Sequence, residues 1–180
     1  MIVDDLNIYK LTNVIRFSQL NKIKQENVAE HSYFVMWFVN RICTKYELSD
    51  TIRLRALETA LLHDIPEVIT NDITYDVKCM IPEISELLEP YEKQVISEHS
   101  VDACNILFYP TTNEDMLVKK IVKHADILSV MLYCKHEEAL GNKEFQELVR
   151  ATSVRLQKSR IEMEEEIRKG GHSECQGTMI

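Results

Sequence analysis

The sequence predicts an all-α domain, a helical bundle of about six to seven helices. Apolar residues recur at spacings of three and four along most of the chain, whereas the β-branched alternating runs that mark strands are weak throughout. Helix punctuation agrees: Asn27 and Glu30 have the spacing of a capping box, and Gly141 stands where a long apolar stretch stops. At 180 residues and 21.0 kDa the chain suffices for one domain with a sizeable core and is short for two. The expected division is one domain over 1–168 and a disordered tail over 169–180.

A first helix is expected over roughly 4–19, opened by Asp4 or Asp5, with Leu6, Leu11, Val14, Ile15 and Phe17 facing inward. After the polar loop NKIKQ a second helix covers about 28–46, with an apolar stripe of Val28, Val35, Val39 and Ile42. A third runs from Ser49 or Asp50 to about His63 and turns Ile52, Ala56, Leu57, Ala60 and Leu61 inward; Pro66, which has no N–H, ends or kinks it. Residues 65–80 are expected to be irregular, and the next helix opens near Pro82, bends at Pro90 and continues to about 108. A long helix over about 114–140 follows Asn113, and a last one over about 142–168 carries the polar run 162–166 as a solvated face.

Composition narrows the function. Hydrophobic residues at 45% and charged residues at 28% are those of a globular protein, not of a disordered, collagen-like or disulfide-stapled chain. The 21 basic and 29 acidic side chains give a net charge of −8, so neither a nucleic acid polymer nor an anionic membrane is expected as partner, and an anionic ligand must meet a local basic site. The opening MIVDDLNIYK has no basic region followed by an apolar stretch, and no run approaches the ~18 apolar residues of a membrane span, so the expected compartment is the cytoplasm. The five cysteines form neither a disulfide framework nor a CxxC pair. All four glycines fall at or after position 141, which excludes the GxxxxGK[ST] and GxGxxG phosphate loops.

The chemistry concentrates in ALLHDIPE, where His63 and Asp64 end an apolar helix and need partners if buried. His31 in NVAEHS and Asp126 in KHADIL are likewise isolated polar groups on apolar stretches. Each alone fits a satisfied core histidine or a buried ion pair. Together they make a mixed nitrogen and oxygen set suited to one divalent ion such as Mn, Fe, Co, Ni or Zn, with two carboxylates offsetting its charge and positions left for water. Such an ion lowers the pKa of bound water and orients a phosphoryl oxygen, which is phosphohydrolase chemistry.

Those residues, with RFS at 16–18, ENVAEHS at 26–32, LLHDIPEVITNDI at 61–73, DVK at 76–78, VKHAD at 122–126 and EEALGNKEF at 137–145, give the chain a resemblance over about 8–157. It resembles the HD-domain metal-dependent phosphohydrolases, in particular the bacterial YfbR-like 5′-deoxynucleotidase branch. The resemblance implies His31, His63, Asp64 and Asp126 as metal ligands, Glu67 as the catalytic carboxylate that orients or deprotonates water, and Asp72 as a cleft residue assisting protonation of the leaving oxygen. Arg16, Lys78 and Lys123 match the branch's substrate-facing segments. Arg16 suits phosphate best, since its planar fork makes two hydrogen bonds. Phe17 stands where the branch commonly has tryptophan near the sugar.

The implied reaction releases phosphate from deoxyribonucleoside 5′-monophosphates; the alternative is a triphosphohydrolase, as in related small phage enzymes that act on dATP. A non-catalytic binding module and a signalling-nucleotide hydrolase are less well supported, because the full ligand set and Glu67 are present and 180 residues leave no room for the latter's extra motifs. The family implies a homodimer or higher homo-oligomer. Trp37, in VMWFV, is expected in the core or at a dimer contact, and His99, His124 and His136 match no second-metal pattern.

Overall fold

The structure, a computed structural model, describes residues 3–4 and 7–170. Among these the chain forms a 3-10 helix, Ile8–Asn13, and eight α-helices. They are α1 (Val28–Lys45), α2 (Asp50–Leu62), α3 (Glu67–Thr70), α4 (Tyr75–Met80), α5 (Glu83–His99), α6 (Val101–Phe108), α7 (Asn113–Ala139) and α8 (Phe145–Gly170). The only β pairing among the described residues is an isolated bridge between Ile15 and Asn27.

Local chemistry sets the main helix starts. The Asn27 side chain accepts from the Glu30 N–H while the Glu30 carboxylate accepts from the Asn27 N–H, so α1 opens in a full capping box. Ser49 accepts from the Ile52 N–H to open α2, and Thr112 with Asp115 forms a second capping box for α7. At the far end of α7, Gly141 adopts φ +98°, a left-handed conformation that a side chain would strain. The central helix is α7, which packs against α8, α1, α2 and α6. The core between them includes Val35, Val39, Ala56, Ala60, Val118, Ile121 and Ala125, and the alanines let α1, α2 and α7 approach closely. A second core joins Val14 and Val28 to Leu62, Ile65, Val95 and Ile96 and fixes the chain beyond α2.

Several expectations give way to tertiary constraints. No helix spans 4–19: the Asp4 carboxylate accepts from the Asn7 N–H, only the 3-10 helix follows, and Phe17 takes φ +52°. The Arg16 N–H donates to the Glu26 carbonyl and the Val28 N–H to the Val14 carbonyl, so the segment is tied to the start of α1 instead of coiling on itself. Leu11 and Val14 are buried as expected, whereas Asp5 and Leu6 lie outside the described residues. The stretch 65–80 contains α3 and α4, and the helix expected over 82–108 passes through Pro90 but breaks at Ser100, whose hydroxyl caps α6 through the Ala103 N–H. These additions raise the helix number above six to seven.

Two side chains also face otherwise than expected, and a third is excluded from one of its two expected places. Leu61 is exposed and Leu62 buried, because an unbroken apolar run hides its phase. Met163 lies in the core within the supposed solvated run, whose Glu162 pairs with Lys120 and whose Glu164 accepts from the Tyr46 hydroxyl. Trp37 is half-exposed on α1, so it is not core. The last helix extends to Gly170, past the expected boundary at 168, and the rest of the expected tail lies outside the described residues. No helix among the described residues is long and apolar enough to cross a membrane.

Arg55 joins three helices. Its Nε and Nη2 donate to Asp102 at 2.8 and 2.7 Å, and Nη2 also donates to Asp115 at 2.6 Å, linking α2, α6 and α7. Burial opposes ionisation of Asp115, but the guanidinium and the Thr112 and Thr111 N–H groups outweigh it and hold the carboxyl well below the usual range. A depressed folded-state pKa contributes stability above the unfolded value of about 4, and that contribution disappears as pH falls through the folded value. Asp115→Ala should therefore cost about 2–4 kcal/mol near pH 7. Urea unfolding of both proteins from pH 7 to pH 2 should show the gap narrowing only at the acid end.

Candidate metal centre

His31 points inward from the first turn of α1 and is fully buried. His63 and Asp64 lie where α2 ends and the backbone turns into α3, a corner closed by the Ile65 N–H on the Leu62 carbonyl and the Glu67 N–H on the Asp64 carbonyl. Asp126 comes from the middle of α7. The His31 Nε2 atom lies 3.3 Å from Asp126 Oδ1 and 3.6 Å from Asp64 Oδ2, and His63 Nε2 lies 3.2 Å from the same Asp64 oxygen. Ligand atoms of His31, His63 and Asp64 fall within 4.8 Å of one another. Both Nε2 atoms are buried without a hydrogen-bond partner, while the Nδ1 atoms are occupied: His31 by Ser129 Oγ at 3.1 Å, His63 by the Ala60 carbonyl at 2.7 Å.

Electrostatics keeps this group polarised. Burial and the nearby Arg16 charge push His31 down to about 4 against the pull of Asp126 and Asp64, so its imidazole is neutral. Burial opposes the charge on His63, but Asp64 and Asp126 outweigh it and raise its pKa. Burial also works against both aspartates, yet His63, His31 and Arg16 hold Asp64 below the usual range, and Lys123 with the two histidines holds Asp126 there. Two unpartnered nitrogens facing two ionised carboxylates are short of positive charge at the middle. That donor set fits one divalent transition-metal ion, which would take the nitrogen lone pairs and balance the carboxylates.

Arg16 reaches the centre from a clamped loop. Its guanidinium is 3.9 Å from Glu26, and Asp64, Asp126, Glu26 and Asp72 together overcome its burial to raise its pKa. Asp72 accepts the Phe17 N–H at 3.2 Å, and Lys22 donates to the Arg16 and Phe17 carbonyls at 2.9 and 2.7 Å, which holds the left-handed Phe17 in place. The Phe17 ring stacks on Tyr133 at 5.2 Å and meets Phe145 edge-on at 6.0 Å. Glu67 places a buried, unpartnered Oε2 beside this array; burial, then Asp64 and Asp72, push it up to about 9. Lys78 is near enough to Glu67 and Glu92 to favour their ionised forms. Lys123 is more than half exposed and bonds Asp126 at 3.1 Å.

The other histidines stay apart from the cluster. His124 Nδ1 is 2.9 Å from Ser159 Oγ, and His136 lines a separate cavity of about 750 Å³ between α1 and α7. That cavity, walled by Tyr33, Phe34, Phe38 and Leu132, touches none of His31, His63, Asp64 and Asp126, although Ser129 and Glu26 line it. Sequence reasoning missed the supports: Ser129, Glu26, Lys22 and Glu137. Glu26 and Glu137 sit inside quoted motifs, but their roles depend on contacts distant in sequence.

Glu137 is wholly buried and its carboxylate accepts the Ile23 N–H at 2.9 Å, the Lys24 N–H at 2.7 Å and Asn142 Nδ2 at 2.8 Å. Glu137→Ala should therefore loosen the loop that carries Arg16, at a cost of about 2–4 kcal/mol in stability. Hydrogen exchange should report faster exchange at the Ile23 and Lys24 amides with little change at the His31 amide inside α1.

Comparison with known proteins gives the kinship of the chain and its fold. Residues 6–168 match the family model described as 5′-deoxynucleotidase YfbR-like. The 5′-deoxynucleotidase YfbR of Salmonella typhi is 31% identical over 173 residues, covering 91% of this chain and 81% of that protein. Among solved structures, the HD phosphohydrolase of cyanophage S-2L, bound to dA and one catalytic Zn2+ ion, superposes with a TM-score of 0.68 at 20% identity and covers 93% of this chain and 94% of its own. An HD-domain phosphohydrolase from Listeria innocua superposes at 0.65 with 22% identity, covering 94% of this chain and 84% of its own. The two structures establish the common fold, and the family match over nearly the whole chain establishes kinship: this protein belongs to the YfbR-like 5′-deoxynucleotidase family.

Proposed function

We propose that the protein is a divalent-metal-dependent phosphohydrolase that releases phosphate from deoxyribonucleoside 5′-monophosphates. The observation that carries the reading is the convergence of His31, His63 and Asp64, with both Nε2 atoms buried and unpartnered, beside a buried arginine. Its fit to the family name of the Salmonella relative supports the substrate class. His31, His63, Asp64 and Asp126 would hold one Co, Mn, Zn, Ni or Fe ion, and a bound ion supplies Lewis acidity that makes water acidic enough to attack near neutral pH and offsets charge on phosphorus-bound oxygens.

The protein's own groups do the rest. Arg16 binds two phosphate oxygens through its fork and orients phosphorus for in-line attack by water. Lys78 and Lys123 add positive charge at the phosphate in a chain whose net charge is −8. Glu67 orients the attacking water and, with its carboxyl ionised by the charge of a bound ion together with Arg16 and Lys78, would take its proton. Asp72 assists the passage of that proton from Glu67 to the leaving 5′ oxygen and keeps Phe17, the sugar-side residue, in its strained backbone conformation. One water is consumed, the P–O5′ bond breaks, and nucleoside and orthophosphate leave. The substrate is a mononucleotide rather than a polymer, and the four unpaired cysteines among the described residues suit a reducing cytoplasm.

The test is product analysis by anion exchange after incubation with Mn2+ or Co2+ and each dNMP and dNTP, with Asp126→Ala as control. Nucleoside plus orthophosphate from dNMPs is expected; intact triphosphate from a dNTP would instead establish the triphosphohydrolase reaction. Arg16→Ala should lower kcat/KM by about 10²–10³-fold, and Glu67→Gln should lower kcat by about 10²–10⁴-fold with the metal still bound. Chelation should abolish turnover and lower the melting temperature, and added Co2+ should restore both.

The protein is further proposed to act as a homodimer through the exposed aromatic face of α1, where Tyr33 meets Phe34 edge-on and the exposed Trp37 follows one turn along the helix. Light scattering of Trp37→Glu should then give half the mass of the wild-type particle, whereas a monomeric wild type would refute this assembly.

A further inference from the structure

The two imidazoles of the cluster are supported differently. His63 Nδ1 lies 2.7 Å from the Ala60 carbonyl oxygen, which can only accept, so His63 keeps a proton on Nδ1. His31 Nδ1 lies 3.1 Å from Ser129 Oγ, and a hydroxyl can donate or accept. His31 and Ser129 are 0% and 3% exposed, so each meets the other and not bulk water.

We propose that Ser129 is a positioning residue of the metal centre, whose hydroxyl satisfies His31 Nδ1 in both tautomers and so releases Nε2 to a divalent ion. The inference rests on the metal-dependent reading above and deepens it at a residue outside the donor set. Without an ion, His31 Nε2 faces Asp126 at 3.3 Å and Asp64 at 3.6 Å, and two acceptors there favour a proton on Nε2. Nδ1 is then a bare acceptor, and the Ser129 hydroxyl donates to it. When an ion takes the Nε2 lone pair, the imidazole proton resides on Nδ1 and donates to Ser129 Oγ. The ring stays neutral and only the proton's position changes. Side chains fixed as donors or as acceptors would satisfy one tautomer and leave the other with a buried unpaired group.

The neighbouring cavity makes the test clean. Ser129 lines it, so an added methyl group at this position has space to occupy. The full-length chain is stripped of metal, and Co2+ affinity is measured by competition with a chelating dye, alongside the cobalt absorption bands and the melting temperature of the metal-free protein. Ser129→Ala should weaken Co2+ binding by about 10–100-fold and alter the cobalt bands, whereas Ser129→Thr, which keeps the hydroxyl, should bind within about threefold of wild type. If Ser129→Ala does not fold, the near-isosteric Ser129→Cys takes its place and should also weaken binding.

Ser129→Ala binding within twofold of wild type would overturn the role of the hydroxyl, and so would Ser129→Thr weakened as much as Ser129→Ala, because packing would then be the cause. A wild-type chain that binds no Co2+ would instead defeat the underlying metal reading, which keeps the two failures distinct.

Discussion

Two buried imidazole nitrogens with no hydrogen-bond partner, held against ionised carboxylates, are the constraint around which the structure is arranged. Left to themselves such groups would be solvated or turned aside, since an unpartnered buried polar atom is costly. They stay because each is anchored from behind on a rigid element. His31 stands on a fully capped α1, His63 is fixed by the Ala60 carbonyl at the end of α2, and Asp126 sits in the middle of the central helix. The core of Val35, Ala56, Ala60, Ile121 and Ala125 sets the spacing of those three helices, so packing is converted directly into ligand geometry.

The second arrangement brings positive charge to an acidic protein without a phosphate loop. Arg16 occupies a segment that is neither helix nor strand, and its position depends on side chains far away in sequence: Asp72, Lys22, Glu26 and, through the 23–24 backbone, Glu137. The left-handed backbone at Phe17 is a strained feature that such a clamp can hold, with Lys22 on two carbonyls and Asp72 on the N–H. Arg16 is thereby set among four carboxylates that keep it charged despite burial. A phosphate entering there would find the guanidinium already oriented, which is the condition for electrostatic stabilisation without reorganisation.

The helices that carry the cluster were legible because their signals are local. Asn27 with Glu30, Ser49, Pro66 and Gly141 state where α1, α2 and α7 begin or end, and the valine stripe of α1 states which face is buried. The four centre residues stood out as polar groups on apolar stretches. Leu11, Val14 and Ile15 have helical spacing and predict a helix through the Arg16 loop, while the bonds that override it join the Arg16 N–H to the Glu26 carbonyl and the Val28 N–H, at the start of α1, to the Val14 carbonyl. Ser100 as a helix start inside 82–108, Leu62 in place of Leu61 and Met163 among glutamates are choices made by tertiary packing. Ser129 was invisible for a similar reason, since a serine within an apolar helix announces nothing until its partner is known.

X-ray absorption at the metal edge of the protein loaded with one equivalent of Co2+ tests the central claim most directly. Two imidazole rings and additional oxygen ligands at about 2.0–2.2 Å are predicted, with both imidazole signals lost in a His31→Ala, His63→Ala double variant. A spectrum without imidazole backscattering, or one dominated by sulfur, would contradict the assignment of this cluster as the metal centre.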